Sequence, residues 1–495
     1  MVVQQHGDEQ SAREPEQALS GAPGAGAAPA TGTTGVPGPE VDRVPKVDPD
    51  GGATLLGWLA RMRREAPVWH APDGHAHVFR HEDITKVVTD PATFSNNLML
   101  FGGPRRGGGD ANAEQAETAE QATGQAEAAA PETAEATEAP AAEAPAADTD
   151  AASADTATDA ESAAEDADAA PAQNPAGGQL LMLDPPEHGK LRRIVSRAFT
   201  AKMVAELEPR IAEITNELLD TVAGADGFEM NGTLANPLPV SVISMMLGVP
   251  VSDRDQFQEW ANNLLAVDPE DPESVAGLAS TAEALGAYLQ GFVTTRRAEP
   301  QQDLISQLCS ADVGGEQLND MEVINFSALL LLAGHVTTSV LLGNILLCLD
   351  EHPHLYKELR EDRDKVPAYI EETLRLRSPF TKIDRVVARD TELNGVRLAK
   401  GTYLCLWMLS ANRDEDVFDD PDTYLPSRAN SRQLAFGHGI HYCIGAPIAR
   451  LEARIVLNLL LDRYSEIRVD RSERLSFHGS NIFGARSLPL TVSRA

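Results

Sequence analysis

The sequence predicts a mainly α-helical protein with a small β region, and three observations carry that prediction. Apolar residues recur at helical spacing through long stretches of the chain. The longest of these, from Asn319 to Asp350, is predicted to be a single buried helix. Short runs with strand character follow Pro379.

The predicted elements can be justified in chain order. A short amphipathic run covers His81 to Asp90, a basic one covers Glu187 to Phe199, and Ala201 to Val222 has apolar residues at helical spacing. The later helices are expected at Asn319–Asp350, Ala368–Leu376 and Ile444–Tyr464, and the strands at Arg385–Arg389 and Tyr403–Leu406, with a turn at Leu393-Asn394-Gly395 between them.

The stretch from Phe326 to Leu349 is apolar enough to raise the possibility of a membrane-spanning helix. Small and polar residues interrupt it, among them Gly334, His335 and Asn344, and positively charged flanks are absent. We therefore favour the buried central helix of a soluble protein.

Composition and charge exclude several classes of protein. The 495 residues include 41 Lys and Arg against 75 Asp and Glu, which gives a net charge of −34. Nucleic-acid binding and docking on anionic lipid both need a surplus of cations. The four cysteines include no C-x-x-C pair, and the N-terminus lacks the layout of a signal peptide. We expect a cytoplasmic monomer that binds neither nucleic acid nor membrane.

Two stretches of low complexity divide the chain. Residues 1–44 are rich in Gly, Ala, Pro, Glu and Gln, and are predicted to be a disordered tail. Residues 107–177 carry 17 acidic side chains and no Lys, Arg or aromatic residue, and are predicted to be a disordered insertion. The expected organisation is one domain over 45–495, interrupted by this insertion in the loop that covers the substrate entrance.

The most specific motif is the Gly-rich loop 436–446, FGHGIHYCIGA, which delivers one cysteine to the start of a helix. A helix N-terminus favours negative charge, so we expect a lowered pKa and a thiolate at Cys443. The glycines allow the backbone to approach something flat and bulky. Three interpretations stay open: an inert buried thiol, a zinc site made by His438, His441 and Cys443, or a thiolate ligand to haem iron.

This loop resembles the haem-binding loop of the cytochrome P450 superfamily, whose pattern is F-G-x-G-x-H/R-x-C-x-G-x-x-x-A. The matching positions are Phe436, Gly437, Gly439, His441, Cys443, Gly445 and Ala449. The resemblance covers essentially the whole globular body and is closest to soluble bacterial members. It implies a helical triangular prism around a buried haem b, with Cys443 as the metal ligand and Phe436, Gly437 and Gly445 beside the haem.

A second part of the resemblance is the pair Glu372 and Arg375, which fits the family's E-x-x-R motif. In the family this pair bonds to an arginine that precedes the cysteine loop, and Arg428 occupies that position. The usual Phe-Asp/Glu-Pro start of that segment is Tyr-Leu-Pro here. The resemblance implies a structural role for the three side chains, which would hold the loop.

The resemblance also implies partners for the two haem propionates, since buried carboxylates need cations or hydrogen-bond donors. The matching positions are His188, Arg192, Arg385 and His441. The same basic run contains Lys190, Arg193, Arg197 and Lys202, and no acidic residue lies between His188 and Lys202. In the family this face receives the redox partner, so we expect an acidic ferredoxin to dock there, although the patch could simply balance the propionates.

The central helix carries the sequence Ala333-Gly334-His335-Val336-Thr337-Thr338, which resembles the family's A-G-x-D/E-T motif. Ala333 and Gly334 are small enough to lie against the macrocycle. Thr337 fits the threonine that manages protons, with Thr338 as a second catalytic candidate, unless its hydroxyl bonds back to the helix. The usual acid is replaced by Val336, so proton delivery would be slower, or would need water or a substrate hydroxyl.

The substrate pocket is assigned by family position to mostly apolar residues, which suits a bulky hydrophobic molecule. Its expected lining is Asn97, Leu98, Met99, Phe101, Leu330, Phe380, Ile383, Ile482 and Phe483. For any one of these residues, ordinary core packing is an equally good interpretation.

The resemblance implies a monooxygenase that inserts one oxygen atom from dioxygen into an apolar small molecule, by hydroxylation or epoxidation, in natural-product biosynthesis. Electrons would come from NAD(P)H through a reductase and a ferredoxin, because the chain has no flavin or dinucleotide motif. A peroxide-driven peroxygenase and a non-catalytic haem-binding protein remain as alternatives.

Overall fold

The structure is a computed structural model, and it describes residues 44–47, 50–98, 180–197, 199–265, 272–313, 315–428, 432–479 and 481–495. The predicted N-terminal tail, apart from Val44, and the predicted insertion 107–177 lie outside the described residues. Met99 and Phe101, two of the expected pocket residues, also lie outside them.

Helices make up most of the described chain, which confirms the predicted fold class. They are α1 (Ala53–Glu65), α2 (His81–Thr89), α3 (Glu187–Ser196), α4 (Ala201–Asp220), α5 (Pro237–Leu247), α6 (Arg254–Leu265), α7 (Pro272–Ala298), α8 (Leu304–Ser310), α9 (Asp320–Glu351), α10 (Pro353–Glu361), α11 (Val366–Leu376), α12 (Met408–Ala411) and α13 (Ala446–Arg463).

The strands form a small β region. They are β1 (Val68–His70), β2 (Ala76–Val78), β3 (Phe94–Ser95), β4 (Gly227–Glu229), β5 (Asp312–Val313), β6 (Glu316–Gln317), β7 (Ile383–Val387), β8 (Thr391–Leu393), β9 (Val396–Leu398), β10 (Tyr403–Leu406), β11 (Tyr464–Val469) and β12 (Pro489–Arg494). One sheet has the strand order β1-β2-β10-β7-β3 and another the order β11-β12-β4, while β5–β6 and β8–β9 are two-stranded. In the first sheet only the β2–β10 pair is parallel.

The boundaries agree closely with those expected from the sequence, and the main differences lie in the strands. Strand β7 begins at Ile383, two residues before the expected start, and β8 and β9 form a hairpin that was expected only as a turn. Asn394 and Gly395 make this turn with φ of 50° and 77°. These positive values explain why an Asn-Gly pair stands at this point.

The central helix α9 is the longest in the described chain and is fixed at its start by a capping box. The Asn319 side chain accepts a hydrogen bond from the Glu322 N–H, and the Glu322 side chain accepts one from the Asn319 N–H, each at 2.9 Å. By length and composition α9 could cross a membrane, yet 67% of its most apolar window is buried within the fold. This is the burial of a core helix, as the sequence predicted.

The largest apolar core lies where the second half of α9 packs against α4, α11 and α13. Ile345, Leu374 and Leu457 are examples of its fully buried side chains, one from each of three helices. Each such side chain contributes about 1.5–3 kcal/mol relative to exposure. Helix α13, which follows the cysteine loop, is therefore anchored firmly in the core.

The longest internal break in the described residues lies between Leu98 and Leu180. Asp184 accepts hydrogen bonds from the Ser95 hydroxyl and, at 3.0 Å, from the Asn96 N–H. The Asn96 side chain also donates to the Leu181 carbonyl at 2.9 Å. These bonds hold the described residues on the two sides of 99–179 together.

Below neutral pH we expect His77, a buried residue of β2, to make the fold sensitive to acid. Its Nδ1 accepts a hydrogen bond from Trp407 Nε1 at 3.0 Å, and burial lowers its pKa to about 4. The unfolded chain therefore binds the proton first, so stability falls as pH decreases from about 6.5 to about 4, by about 3 kcal/mol. Urea unfolding at pH 7 and pH 4 measures this loss.

His77→Asn is the matched variant for this test, because the introduced amide oxygen can still accept from Trp407 but does not titrate. We expect its stability to change less between the two pH values than that of the wild type. An identical pH dependence in the two proteins would contradict the assignment to His77.

Candidate active site

The cysteine loop is built from a tight backbone path between Leu434 and helix α13. Gly437 and Gly439 have φ of 74° and 72°, a region that residues with a side chain rarely adopt. A Cβ on Gly439 would also lie 2.8 Å from the Val88 carbonyl oxygen of α2. The Cys443 N–H donates to the Phe436 carbonyl at 2.9 Å, which closes the loop. Two glycines are thus explained by the path of the backbone itself.

Cys443 is exposed at the surface, yet desolvation is the largest influence on the pKa of its thiol. The N–H groups of Gly445 and Ala446 and the charges of Arg192 and Arg450 lower that pKa, but burial outweighs them and raises it. The expectation of a lowered pKa was therefore wrong in direction. The helix N-terminus acts as expected, and desolvation of the thiolate is larger.

The predicted propionate partners converge beside the cysteine loop. The rings of His188 and His441 lie 4.2 Å apart, and Arg192 Nη2 donates to the Tyr442 carbonyl at 2.8 Å. Arg385 is buried on β7 and donates to the Asp384 carbonyl at 2.7 Å. Helix α3, strand β7 and the loop thus bring four basic side chains to one place.

Burial and mutual repulsion disfavour the protonated forms of the side chains in this cluster. The pKa of His441 is lowered to about 3, first by burial and then by His188, Arg385 and Arg192. Burial lowers the pKa of Arg385 to about 10, and it also lowers the pKa values of His188 and Arg192. Such a cluster is stabilised by any anion that enters it.

Two ring nitrogens in this cluster, Nε2 of His188 and Nε2 of His441, are buried without a hydrogen-bond partner among the described residues. An anionic group placed between them and the two arginines would satisfy both and relieve the repulsion. A haem, with two propionates and an iron that takes a thiolate, suits this set of donors together with Cys443. The residues present therefore fit the group that the sequence implied.

The zinc interpretation of the loop finds no support in the part of the chain that the structure describes. In that part no group of three or more His, Cys, Asp and Glu side chains is arranged to hold a metal ion. His438 is exposed, whereas His441 points into the basic cluster beside His188.

The centre of α9 opens towards the same region. Ile444, next to Cys443, packs in one apolar cluster with Leu330 and Leu332 of α9. Ala333 is exposed although its helix is otherwise largely buried here, and Thr337 lies one turn later on the same face. The Thr337 hydroxyl donates to the Ala333 carbonyl at 2.8 Å, so its oxygen remains available as an acceptor.

The reason for Gly334 differs from the one expected. A Cβ at this position would lie 2.4 Å from Cδ1 of Ile243 on α5, so glycine is needed for the crossing of two helices. The prediction that Gly334 also lies beside the haem stays a prediction. Ala333 alone presents the small side chain on the open face.

Val336, at the position of the family's acid, is buried in an apolar cluster. Its partners there are Ala261, Val340 and Ile482, with Phe380 packed against them. Thr338, the second catalytic candidate, is also buried, with 4% of its surface exposed.

His335 is a residue that the sequence analysis did not single out. It is buried on α9, and neither of its ring nitrogens has a hydrogen-bond partner among the described residues. Burial lowers its pKa to about 4, which keeps the ring neutral at pH 7. A histidine within an apolar helix was the only available signal.

The expected pocket residues fall into different groups. Phe380 and Ile482 form a β-bridge and pack with Val336, whereas Leu330 and Ile383 are half-buried beside two other apolar clusters. Leu98 is half-buried at the last described position before 99–179.

Phe483 does not share the environment of Ile482, and its assignment to the pocket stays a prediction. It is 2% exposed, its ring lies against Gly52, and the Arg377 guanidinium lies 5.9 Å from its centre. Neighbouring residues of an extended segment point in opposite directions, so only Ile482 faces α9.

The triad Glu372, Arg375 and Arg428 forms a buried hydrogen-bond network. Arg375 makes two 2.8 Å bonds to the Glu372 carboxylate, and Arg428 Nε donates to the same carboxylate at 3.0 Å. The rest of the Arg375 guanidinium donates to the carbonyls of Asn412, Pro421 and Thr423 at 2.7–2.9 Å. The network fastens the segment before the cysteine loop to α11.

The altered start of that segment has a structural explanation. The Tyr424 hydroxyl, which is buried, lies 3.0 Å from the Tyr369 carbonyl and 3.0 Å from the Thr373 hydroxyl, both on α11. The next N–H, that of Leu425, donates to Glu372 at 2.8 Å. Tyrosine therefore adds a link between this segment and α11 that a phenylalanine could not make.

We expect Tyr424→Phe to lower the free energy of unfolding by about 1 kcal/mol. The loss is small because the Thr373 hydroxyl still donates to the Tyr369 carbonyl at 2.9 Å, which leaves that acceptor satisfied. Urea unfolding of the purified protein measures it, and a stability equal to that of the wild type would contradict the assigned link.

Comparison with known proteins agrees with this site and fold. A family model described as "Cytochrome P450" matches residues 147–492. The chain is 38% identical over 456 residues to the erythromycin C-12 hydroxylase of Saccharopolyspora erythraea. The aligned region covers 91% of this chain and 97% of the relative. It is 38% identical over 443 residues to the cyclomarin C epoxidase of Salinispora arenicola, with 89% and 96% covered.

A solved structure of a P450 EryK mutant in complex with erythromycin B has a TM-score of 0.71 and 37% identity, covering 89% of this chain and 97% of that one. The chain belongs to the cytochrome P450 family. It is a monooxygenase of the haem-containing P450 class, and its relatives hydroxylate or epoxidise natural products.

Proposed function

We propose that the protein hydroxylates or epoxidises a bulky, mostly apolar natural product of macrocyclic or polyketide type. The observation that carries this proposal is the 38% identity, over 97% of its length, to an erythromycin C-12 hydroxylase. The apolar cluster of Val336, Ile482 and Phe380 beside the open face of α9 supports it, because such a wall suits an apolar substrate.

The cofactor in this proposal is haem b, and the thiolate of Cys443 would bind its iron. The basic cluster of His188, Arg192, Arg385 and His441 would hold the propionates. When bound, haem supplies the iron at which dioxygen is reduced and one oxygen atom is passed to the substrate. The protein's own part is to bind the thiolate side, orient the substrate and control protons.

Proton control is assigned to Thr337. Its hydroxyl already donates to the Ala333 carbonyl at 2.8 Å, so the oxygen can accept a hydrogen bond from a water or a substrate hydroxyl on the open face. Val336 is packed among apolar side chains and offers no proton. The proton would therefore reach the site through solvent or substrate, with Thr337 holding the donor in place.

Thr337→Ala should reduce the fraction of electrons that end in product by about five-fold or more, because the ordered donor is lost. Product formed per NAD(P)H consumed measures this fraction, and Thr337→Ser, which keeps the hydroxyl, is the matched control. Unchanged coupling in the alanine variant would remove Thr337 from proton delivery.

Electrons are proposed to come from NAD(P)H through a reductase and an acidic ferredoxin that docks on α3. Arg193 and Arg197 are exposed there, and Arg192 of the same helix lies close to Cys443. Lys202 is also exposed, with its ammonium 3.8 Å from Glu206, and such a pair competes only weakly with a docking partner. The protein is proposed to act in the cytoplasm as a monomer, with one domain interrupted at 107–177.

The test begins with spectral titration of the purified haem protein against erythromycin B and cyclomarin C. We expect at least one such macrocycle to shift the Soret band and to gain an oxygen atom when ferredoxin, reductase and NADPH are supplied. Product with hydrogen peroxide alone would favour the peroxygenase, and binding without product under either condition would favour a non-catalytic binder. Absence of binding by any bulky apolar compound would overturn the proposed substrate class.

A further inference from the structure

Helix α3 has an exposed cationic face, formed by Arg193 and by Arg197 at its C-terminal end. Arg193 Nε donates to the Gly189 carbonyl at 3.3 Å, and Arg197 Nη1 donates to the Asp312 carbonyl at 3.0 Å. These bonds are to backbone carbonyls, and in the described residues neither guanidinium forms an ion pair with a carboxylate. Each guanidinium has five N–H donors, and most of them remain available to an anion in solution.

The helix that carries this cationic face also contacts the cysteine loop. Arg192, on the same helix, bonds the Tyr442 carbonyl next to Cys443, and His188 packs on His441. Any acidic segment that covers the cationic face would therefore occupy the surface on which the acidic ferredoxin is proposed to dock.

The anchor of the acidic segment 107–177 is close to this helix along the chain. Asp184, which binds Ser95 and Asn96 and so holds the two ends of 99–179 together, precedes the first residue of α3 by only three positions. The segment has 17 acidic side chains and no Lys or Arg. One end of a strongly acidic stretch is thus tied beside an exposed cationic surface of the same chain.

The length of the segment is sufficient for it to reach the face. A flexible chain of 71 residues has a root-mean-square span of roughly 45 Å, while α3, with 10 residues, is about 15 Å long. A tether of this kind gives an effective concentration of about a millimolar or less. That concentration suffices for partial occupancy through several weak contacts between opposite charges. At low salt the attraction between such charges extends over about 10 Å or more before it is screened.

We propose that the acidic segment 107–177 binds the cationic face of α3 and competes there with the acidic redox partner of the same protein. This inference rests on the proposed docking of a ferredoxin on α3. The segment acts as a built-in competitor whose strength falls as ionic strength rises, so electron delivery depends on salt in two opposing ways. Salt weakens the docking of the partner and also weakens the competitor.

The first experiment tests the contact without any partner. Arg193→Lys and Arg197→Lys are introduced together in the full-length haem protein, which keeps the charge and supplies amines at the face. A carbodiimide then joins carboxylates to nearby amines, and digestion after acidic residues with mass spectrometry locates the links. We expect links from 107–177 to either of the two introduced amines at about 20 mM salt and their loss at about 0.5 M. No such links at low salt would overturn the contact.

The second experiment tests the competition, with a plant-type [2Fe–2S] ferredoxin as the probe. The full-length protein is compared with a form in which all 17 acidic side chains of the segment become Asn or Gln, which preserves its length. We expect the neutral form to bind ferredoxin about five-fold more tightly at low salt and equally at about 0.5 M. Equal affinity of the two forms at low salt would overturn the competition.

A third pair of proteins separates this inference from the docking proposal. Arg193→Gln with Arg197→Gln, placed in the neutral form, should weaken ferredoxin binding if the partner docks on α3. Placed in the unaltered chain, the same change should abolish the difference between acidic and neutral segments. If the two substitutions leave the ferredoxin affinity of the neutral form unchanged, docking on α3 is overturned. The cross-links would then still decide whether the segment binds there.

Discussion

Cys443→Ser should eliminate the thiolate signature of the haem protein and reduce monooxygenase turnover by about a thousand-fold or more. The signature is the strongly red-shifted Soret band of the reduced protein with carbon monoxide, which depends on a thiolate ligand to iron. A serine hydroxyl is a far weaker electron donor to iron than a thiolate. Burial at this position already disfavours a negatively charged side chain. The measurements are the carbon monoxide spectrum and product formation with ferredoxin.

Cys309→Ser is the matched control for this variant. Cys309 is a buried thiol, 6% exposed, and it lies on α8 rather than on the cysteine loop, so the spectrum of this protein should keep the red-shifted band. A Cys443→Ser protein with an unchanged band would show that another group binds the iron. Loss of haem from the Cys443→Ser protein alone would agree with the assignment, since the basic cluster would then hold the propionates without a metal ligand.

The parts of this site that local patterns determine could be predicted from the sequence. The cysteine loop, the Glu372 and Arg375 pair and the basic residues of α3 are each a short motif, and the structure brings them together. Helices α2, α3, α4, α9, α11 and α13 could be located because apolar spacing depends on neighbours along the chain.

The parts that depend on packing direction could not be predicted. Gly334 and Phe483 stand at positions where the family has site residues. What each of them contacts depends on where α5 and Gly52 lie in the fold. The pKa of Cys443 is likewise a property of the folded surroundings, because desolvation outweighs the helix N-terminus that the sequence reveals. Tyr424 looked like a departure from a motif, and only its contacts with α11 show what the hydroxyl does.

The buried guanidinium of Arg375 is the side chain on which the fold around the cysteine loop depends most. It is fully buried and donates to both oxygens of Glu372 and to three carbonyls. Lysine keeps the charge but has three donors at one point, so it cannot replace this planar set. We expect Arg375→Lys to lower the free energy of unfolding by about 3–5 kcal/mol, because part of the Glu372 charge and several carbonyls lose their partners.

Arg450→Lys provides the comparison, since Arg450 pairs at 2.6 Å with Glu371, the neighbour of Glu372 on the same helix. Both of these side chains are about one-third exposed, so water and salt replace much of what the pair supplies. We expect a loss of about 1 kcal/mol or less for Arg450→Lys in urea unfolding under the same conditions. Equal losses for the two variants would contradict the view that burial makes the difference. A much larger loss in the free energy of unfolding for Arg375→Lys than for Arg450→Lys would show that a desolvated ion network holds the cysteine loop. In such a network the planar donors of arginine cannot be exchanged for the point charge of lysine.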